Sequence, residues 1–231
     1  VPTSDLRWDK TPADPRAVVL VLHGGQDASR RPASWTNLAV LRMLPIAWNI
    51  GRAGGGQLAV VRLRYAVRGW NGAEQSPVAD TRAALDAIEA RYPGVPIALV
   101  GHSMGGRVAL RLSHDERVHD IVGLAPWISG GDEVQPHPGL RLFVIHGLAD
   151  RITSPKASRQ VVETLQASGR LASFVGLRGE MHAMLHRWRT WDQLTAGFLR
   201  GTHAPPAELD GEATFERLGG RASSEPVLTV I

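Results

Sequence analysis

Gly101-His102-Ser103-Met104-Gly105-Gly106 sets one serine among small residues. An apolar run at 96–100 precedes it and reads as a buried strand, and residues 107–112 after it read as a helix. Strand, Gly-x-Ser-x-Gly and helix in that order force the serine onto a sharp turn, with its hydroxyl exposed at the strand end. Gly101 and Gly105 remove the bulk that such a turn has no room for. The pattern predicts a nucleophilic Ser103.

A serine hydroxyl needs a base, and the base needs a carboxylate to orient it. On this kind of turn the chain order is serine, acid, histidine. Residues 140–147 read as a strand, and Asp150 follows in a turn before a helix that opens at Ser154-Pro155. Ser154 is the expected cap of that helix, which leaves Asp150 for other work. Residues 172–177 read as another strand, followed by Arg178-Gly179-Glu180-Met181-His182. Asp150 and His182 are therefore the expected acid and base, with Glu180 as the alternative acid. His186 is expected on the last helix. His146 is expected to pack and hydrogen-bond, His23 to shape its loop, and His102 to lie beneath the turn or beside the pocket without a catalytic role.

These pieces, with Leu22-His23-Gly24-Gly25 near the start, resemble the α/β-hydrolase superfamily over roughly residues 17–200. There is also some resemblance to dienelactone hydrolase and to cutinase-like polyester hydrolases, through the elbow and an Ala-Pro-Trp segment ending at Trp127. The resemblance implies an α/β fold: a mostly parallel central sheet, helices on both faces, and little or no cap domain. It implies a Ser103–His182–Asp150 triad. It also implies an oxyanion hole from the backbone N–H groups of Gly25 and Met104, with Gln26 as the alternative first donor.

The elements that must position these residues alternate in type. Residues 17–22, 58–65 and 120–126 read as strands, and residues 80–91 as an amphipathic helix. Residues 34–50 have helical spacing, with Pro45 expected to kink or split them. Strands alternating with helices argue for a parallel sheet. Sites in such sheets lie beyond the carboxyl ends of the strands, where every candidate above falls. Residues 1–16 are polar and proline-containing, a surface lead-in with room for one short strand. The 128–139 connection is short, so little or no lid is expected. The 66–77 loop is the candidate specificity loop. Trp127 and Trp70 are candidate substrate contacts, each weighed against a packing role. Residues 1–200 read as the catalytic domain and 201–231 as a tail, with two readings open: flexible, or with residues 227–231 docked as an edge strand.

The chain has 231 residues, 43% of them hydrophobic, enough for one domain with a sizeable core. Its net charge is +4, almost all the basic residues being arginine, with only Lys10 and Lys156 as lysine. The basic residues are not clustered with interleaved aromatics, which argues against nucleic acid as a partner. No cysteine is present, so thiol catalysis and disulfides are excluded. No apolar run has the length of a membrane span, and the default location is cytoplasmic. His182 and His186 are four apart but lack an adjacent glutamate and straddle a loop and a helix; no other metal-ligand spacing and no dinucleotide loop appear, so neither metal nor cofactor is expected. The reading that follows is hydrolysis of a small-molecule carboxylic ester through an acyl-enzyme on Ser103. The alternatives are an acyl thioesterase and a non-catalytic hydrolase-like binding protein. The sequence does not set the oligomeric state.

Overall fold

The computed structural model describes residues 2–130, 132, 134–203 and 227–231. Eight strands form one sheet: β1 (Asp5–Lys10), β2 (Ala17–Leu22), β3 (Leu58–Arg64), β4 (Ile97–His102), β5 (Val118–Leu124), β6 (Arg141–Gly147), β7 (Ala172–Leu177) and β8 (Leu228–Val230). Their spatial order is β1-β3-β2-β4-β5-β6-β7-β8. Only β1 runs antiparallel, against β3; every other pairing is parallel. The serine-bearing strand β4 sits near the middle, between β2 and β5.

Helices cover both faces, as a parallel sheet requires. They are α1 (Leu38–Leu41), α2 (Met43–Ala53), α3 (Ser76–Arg91), α4 (Met104–Arg111), α5 (Pro155–Ala167) and α6 (Trp188–His203). β2 reads Ala-Val-Val-Leu-Val-Leu and is buried throughout. Its Val18, Leu20 and Leu22 face the core beneath α3, α4 and α5. Ala17, Val19 and Val21 face the other core, beneath α2 and α6. The alternation of side chains across a strand explains why one all-apolar run supplies both. Burying each such Val or Leu stabilises the fold by about 1.5–3 kcal/mol.

The lead-in does contain a strand, β1. The helical region at 34–50 is split, but at Arg42 rather than at Pro45. Pro45 lies in the first turn of α2, where no intrahelical N–H is needed. A proline ring clashes with the carbonyl four residues earlier, here that of Leu41, so the break comes ahead of it. The described residues between β5 and β6 contain no helix. The docked edge strand is the reading found for residues 227–231. β8 pairs with β7, with Phe174 opposite Leu228. The rest of the tail call, residues 204–226, lies outside the described residues.

Candidate active site

The elbow is built by clearance. Ser103 has φ 54° and ψ −115°, a conformation that an L side chain rarely adopts and that the surroundings must enforce. Ser103 N–H donates to Leu124 O at 3.0 Å, and Ser103 O accepts from Trp127 N–H at 3.0 Å, tying the turn to the end of β5. A Cβ on Gly101 would lie 2.3 Å from Gly105 O, and one on Gly105 2.5 Å from Leu22 O. Neither neighbour is a movable side chain, so glycine is obligatory at both positions.

Asp150 and His182 arrive from the ends of β6 and β7, and the structure brings them together. Asp150 Oδ2 accepts from His182 Nδ1 at 2.8 Å. The same oxygen accepts from the Thr153 hydroxyl at 2.7 Å and from His146 Nε2 at 3.1 Å. Oδ1 accepts from the backbone N–H groups of Ile152 at 2.7 Å and Thr153 at 3.0 Å. Burial raises the Asp150 pKa, but the donors from His146, Thr153 and His182 outweigh it and hold the carboxyl well below the usual range. Ser154 caps α5 as expected, accepting from Ala157 N–H at 3.1 Å. Glu180 is fully buried, and its partners are Met181, Arg187 and His186, not His182. Its carboxylate accepts from the N–H groups of Met181 at 2.9 Å and Arg187 at 2.5 Å. His186 precedes α6 instead of lying on it.

Two buried histidines surround the His182 ring. His146 Nε2 donates to Asp150, and its Nδ1 accepts from the Ser158 hydroxyl at 2.9 Å; burial pushes its pKa down. His102 immediately precedes the serine. Its Nε2 faces His182 O at 3.0 Å, so Nε2 carries the proton. The His102 and His182 ring centroids are 4.8 Å apart. Burial, reinforced by the nearby His182, drives the His102 pKa down to about 3, so this ring is neutral. Its other nitrogen, Nδ1, is buried without a hydrogen-bond partner. Among the described residues, neither the Ser103 hydroxyl nor His182 Nε2 has a hydrogen-bond partner. Catalytic hydrogen bonds are often long before substrate binds.

The loop after β2 lies over the serine. A Cβ on Gly24 would sit 3.4 Å from Ser103 Cβ, and one on Gly25 only 2.3 Å from Met104 Cε. Gln26 N–H already donates to Arg68 O at 2.9 Å, so it is not available to a substrate. The Gly25 N–H has no acceptor among the described residues. Met104 N–H opens α4, where no intrahelical acceptor exists and the helix dipole favours negative charge. His23 fixes the loop. Its Nδ1 donates to Gly24 O at 2.6 Å and its Nε2 accepts from Tyr65 N–H at 3.2 Å. Burial holds its pKa down at about 4. Gly24 C=O and Gly25 N–H are opposite ends of one planar peptide, so anchoring the carbonyl aims the N–H.

Trp70 and Trp127 meet each other edge to face, centroids 6.2 Å apart. The Arg107 guanidinium lies over both, 4.0 Å and 4.4 Å from their ring centroids, and pairs with Asp132 at 2.8 Å. Trp70 is buried, while Trp127 keeps an exposed part. An apolar groove of about 410 Å³ opens beside the loop that carries His182, lined by Leu38, Leu41, Met184, Leu185 and Trp188 among others. A smaller pocket of about 240 Å³ lies beside Gly24 and Gly25 and shares Leu38 with the groove.

Sequence reasoning missed three parts of this arrangement: Thr153 on Asp150, the bond from His102 to the His182 carbonyl, and the groove. The Asp-x-x-Thr spacing in the turn could have pointed to Thr153. Nothing local points to the other two, which join residues far apart in the chain.

Residues 13–143 match the family model described as "Serine aminopeptidase, S33". A stretch of 122 residues, 51% of this chain, is 29% identical to human monoglyceride lipase and spans 36% of that protein's length. A lidless α/β serine hydrolase from Xanthomonas campestris superposes with a TM-score of 0.67 at 22% identity, over 88% of this chain and 91% of that one. A butyrate-bound esterase from Thermogutta terrifontis gives a TM-score of 0.64 at 18% identity, over 88% and 92%. The family match covers more than half of the chain, and the fold agrees with it. The chain belongs to the S33 serine aminopeptidase family of α/β serine hydrolases.

Proposed function

We propose that the protein hydrolyses carboxylic esters through an acyl-enzyme on Ser103. His182 takes the hydroxyl proton as Ser103 attacks the ester carbonyl. Asp150 holds the imidazole in the tautomer that leaves Nε2 free, and it stabilises the imidazolium. The Gly25 and Met104 N–H groups receive the developing oxyanion, each such donor supporting about 3 kcal/mol of transition-state stabilisation. His182 returns its proton to the leaving alcohol, then activates water to release the acid. The observation that carries this reading is the 2.8 Å bond from His182 Nδ1 to Asp150, beside a serine held at φ 54°.

An ester is favoured over the amino-terminal peptide that the family's name suggests. Selecting a peptide end takes a cap over the nucleophile, and the described residues between β5 and β6 contain no helix that could form one. A thioester can use the same machinery and is the second reading. The domain assignment goes with this proposal: residues 1–200 supply the catalytic parts, and the tail lends an edge strand.

A fluorophosphonate probe tests it, followed by turnover of paired acyl esters and thioesters of equal chain length. Covalent labelling confined to Ser103 and faster ester turnover are expected. An unlabelled Ser103 with intact folding would leave only a binding role.

A further inference from the structure

The exposed large hydrophobic side chains are not scattered. Among the described residues, all but Leu228 and Val230 lie on α1, α2, the loops after β6 and β7, or the start of α6. Leu38 is 79% exposed, Leu185 65% and Trp48 62%. Contiguous exposed apolar surface of this kind marks an interaction site. The apolar groove continues past Pro45 and Trp188 into a second hollow of about 630 Å³, bounded by Trp48, Arg52 and Arg189. Ile152 and Met181 are exposed as well, on the loops that carry Asp150 and His182.

The exposed charge on these segments has one sign. Arg52, Arg151, Arg178 and Arg189 are exposed there. The carboxylates on the same segments, Asp150, Glu180 and Asp192, are buried and hydrogen-bonded, Asp192 in the wall of both hollows and held by Asn49. Arg52 lies 5.5 Å over the Trp48 ring and Arg189 5.2 Å over Trp188. Each pair sets a cation at the level of an amphipathic ring, the arrangement suited to a headgroup boundary. Two copies apposed through this face would bring like charges together. An anionic lipid surface satisfies the apolar side chains and the arginines at once.

We propose that this face docks peripherally onto an anionic lipid surface. The docking goes beyond the hydrolytic reading and does not depend on it.

The test is co-sedimentation of the full chain with unilamellar vesicles of phosphatidylcholine alone or with one-third phosphatidylglycerol, in low and high salt. Binding should need phosphatidylglycerol and weaken with salt. Arg52→Gln with Arg189→Gln should weaken it by about thirtyfold, about fivefold per arginine. Trp48→Ser should weaken it at every salt concentration. Both variants change exposed side chains, and unchanged melting and short-ester turnover verify their folding. Ser103→Ala should bind as the wild type does, so loss of hydrolysis and loss of docking are read separately. No binding of the wild type, or binding untouched by these substitutions, overturns the proposal. So does a concentration-dependent dimer, seen by light scattering, that Trp48→Ser abolishes, because a second copy would then be the occupant.

Discussion

His102 Nε2 donates to the backbone carbonyl of His182 at 3.0 Å, linking the residue before the serine to the loop that carries the histidine. The bond crosses from the end of β4 to the loop after β7, two strands that are not neighbours in the sheet. It is a positioning contact, since the His102 ring is buried and neutral. His102→Leu removes the donor and strands the carbonyl, whereas His102→Gln can keep a donor near the same place. A buried hydrogen bond of this kind contributes about 1 kcal/mol, with a further cost for the unpaired acceptor. Expected is a fall of about tenfold in kcat for the leucine variant, with KM little changed and partial recovery in the glutamine variant. Equal losses in both variants would reduce His102 to a packing residue.

Ser103→Ala should abolish turnover and leave the fold intact, because alanine needs no more room than serine on the turn. His182→Ala should cost about as much, and the double variant little more, since triad members act as a unit. Single-turnover acylation of the three proteins measures this. Clear additivity would argue that the two residues do not serve one step.

Asp150→Asn keeps the shape but removes the charge and can hold the wrong imidazole tautomer. The rate should drop on the order of 10⁴. Glu180→Gln should instead lower thermal stability, because its carboxylate accepts from two backbone N–H groups and its amide cannot match both. A pre-steady-state comparison in which Glu180→Gln is the crippled protein would move the acid to Glu180.

Gly25→Ala places a methyl group within 2.5 Å of Arg68 O and against the Met104 side chain. Met104 can give way, but the backbone oxygen cannot, so the loop must shift. If Gly25 N–H is an oxyanion donor, kcat should fall by about 10²–10³ with a smaller change in KM. Gln26→Ala, which leaves the backbone N–H on Arg68 O, should be near neutral. Steady-state kinetics on one soluble ester decides it.

Asp192 gives a pH signature of stability. Burial pushes its carboxyl up to about 6, although Asn49 Nδ2 donates to it at 2.5 Å. Between the ordinary aspartate pKa of about 4 and this value, the folded protein holds a proton that the unfolded chain has released. Stability from this group is therefore fullest below about pH 4 and declines as pH rises toward 6. Asp192→Asn should flatten that decline. Melting curves at pH 4, 5, 6 and 7 test it, and an identical slope in both proteins would contradict it.

The sequence by itself determined the elements and the chemistry that rides on them. An all-apolar Ala-Val-Val-Leu-Val-Leu must be a strand buried on both faces. A serine between glycines, with strand before and helix after, must take the sharp turn, because any larger neighbour collides with backbone. Asp150 and His182 were legible because strand ends in a parallel sheet share one rim. Only the tertiary structure decided what crosses between distant segments. Gln26 N–H is consumed by Arg68 O, which local sequence cannot reveal and which leaves Gly25 as the candidate donor. The split at Arg42 came from a proline acting on the preceding turn. Arg107 lies over both Trp70 and Trp127, a contact that their separation in the chain does not reveal. The apolar and basic face was hidden for the same reason. Its leucines and tryptophans have the spacing of core residues, and only the packing of α2 against α6 settles which of them are left in water.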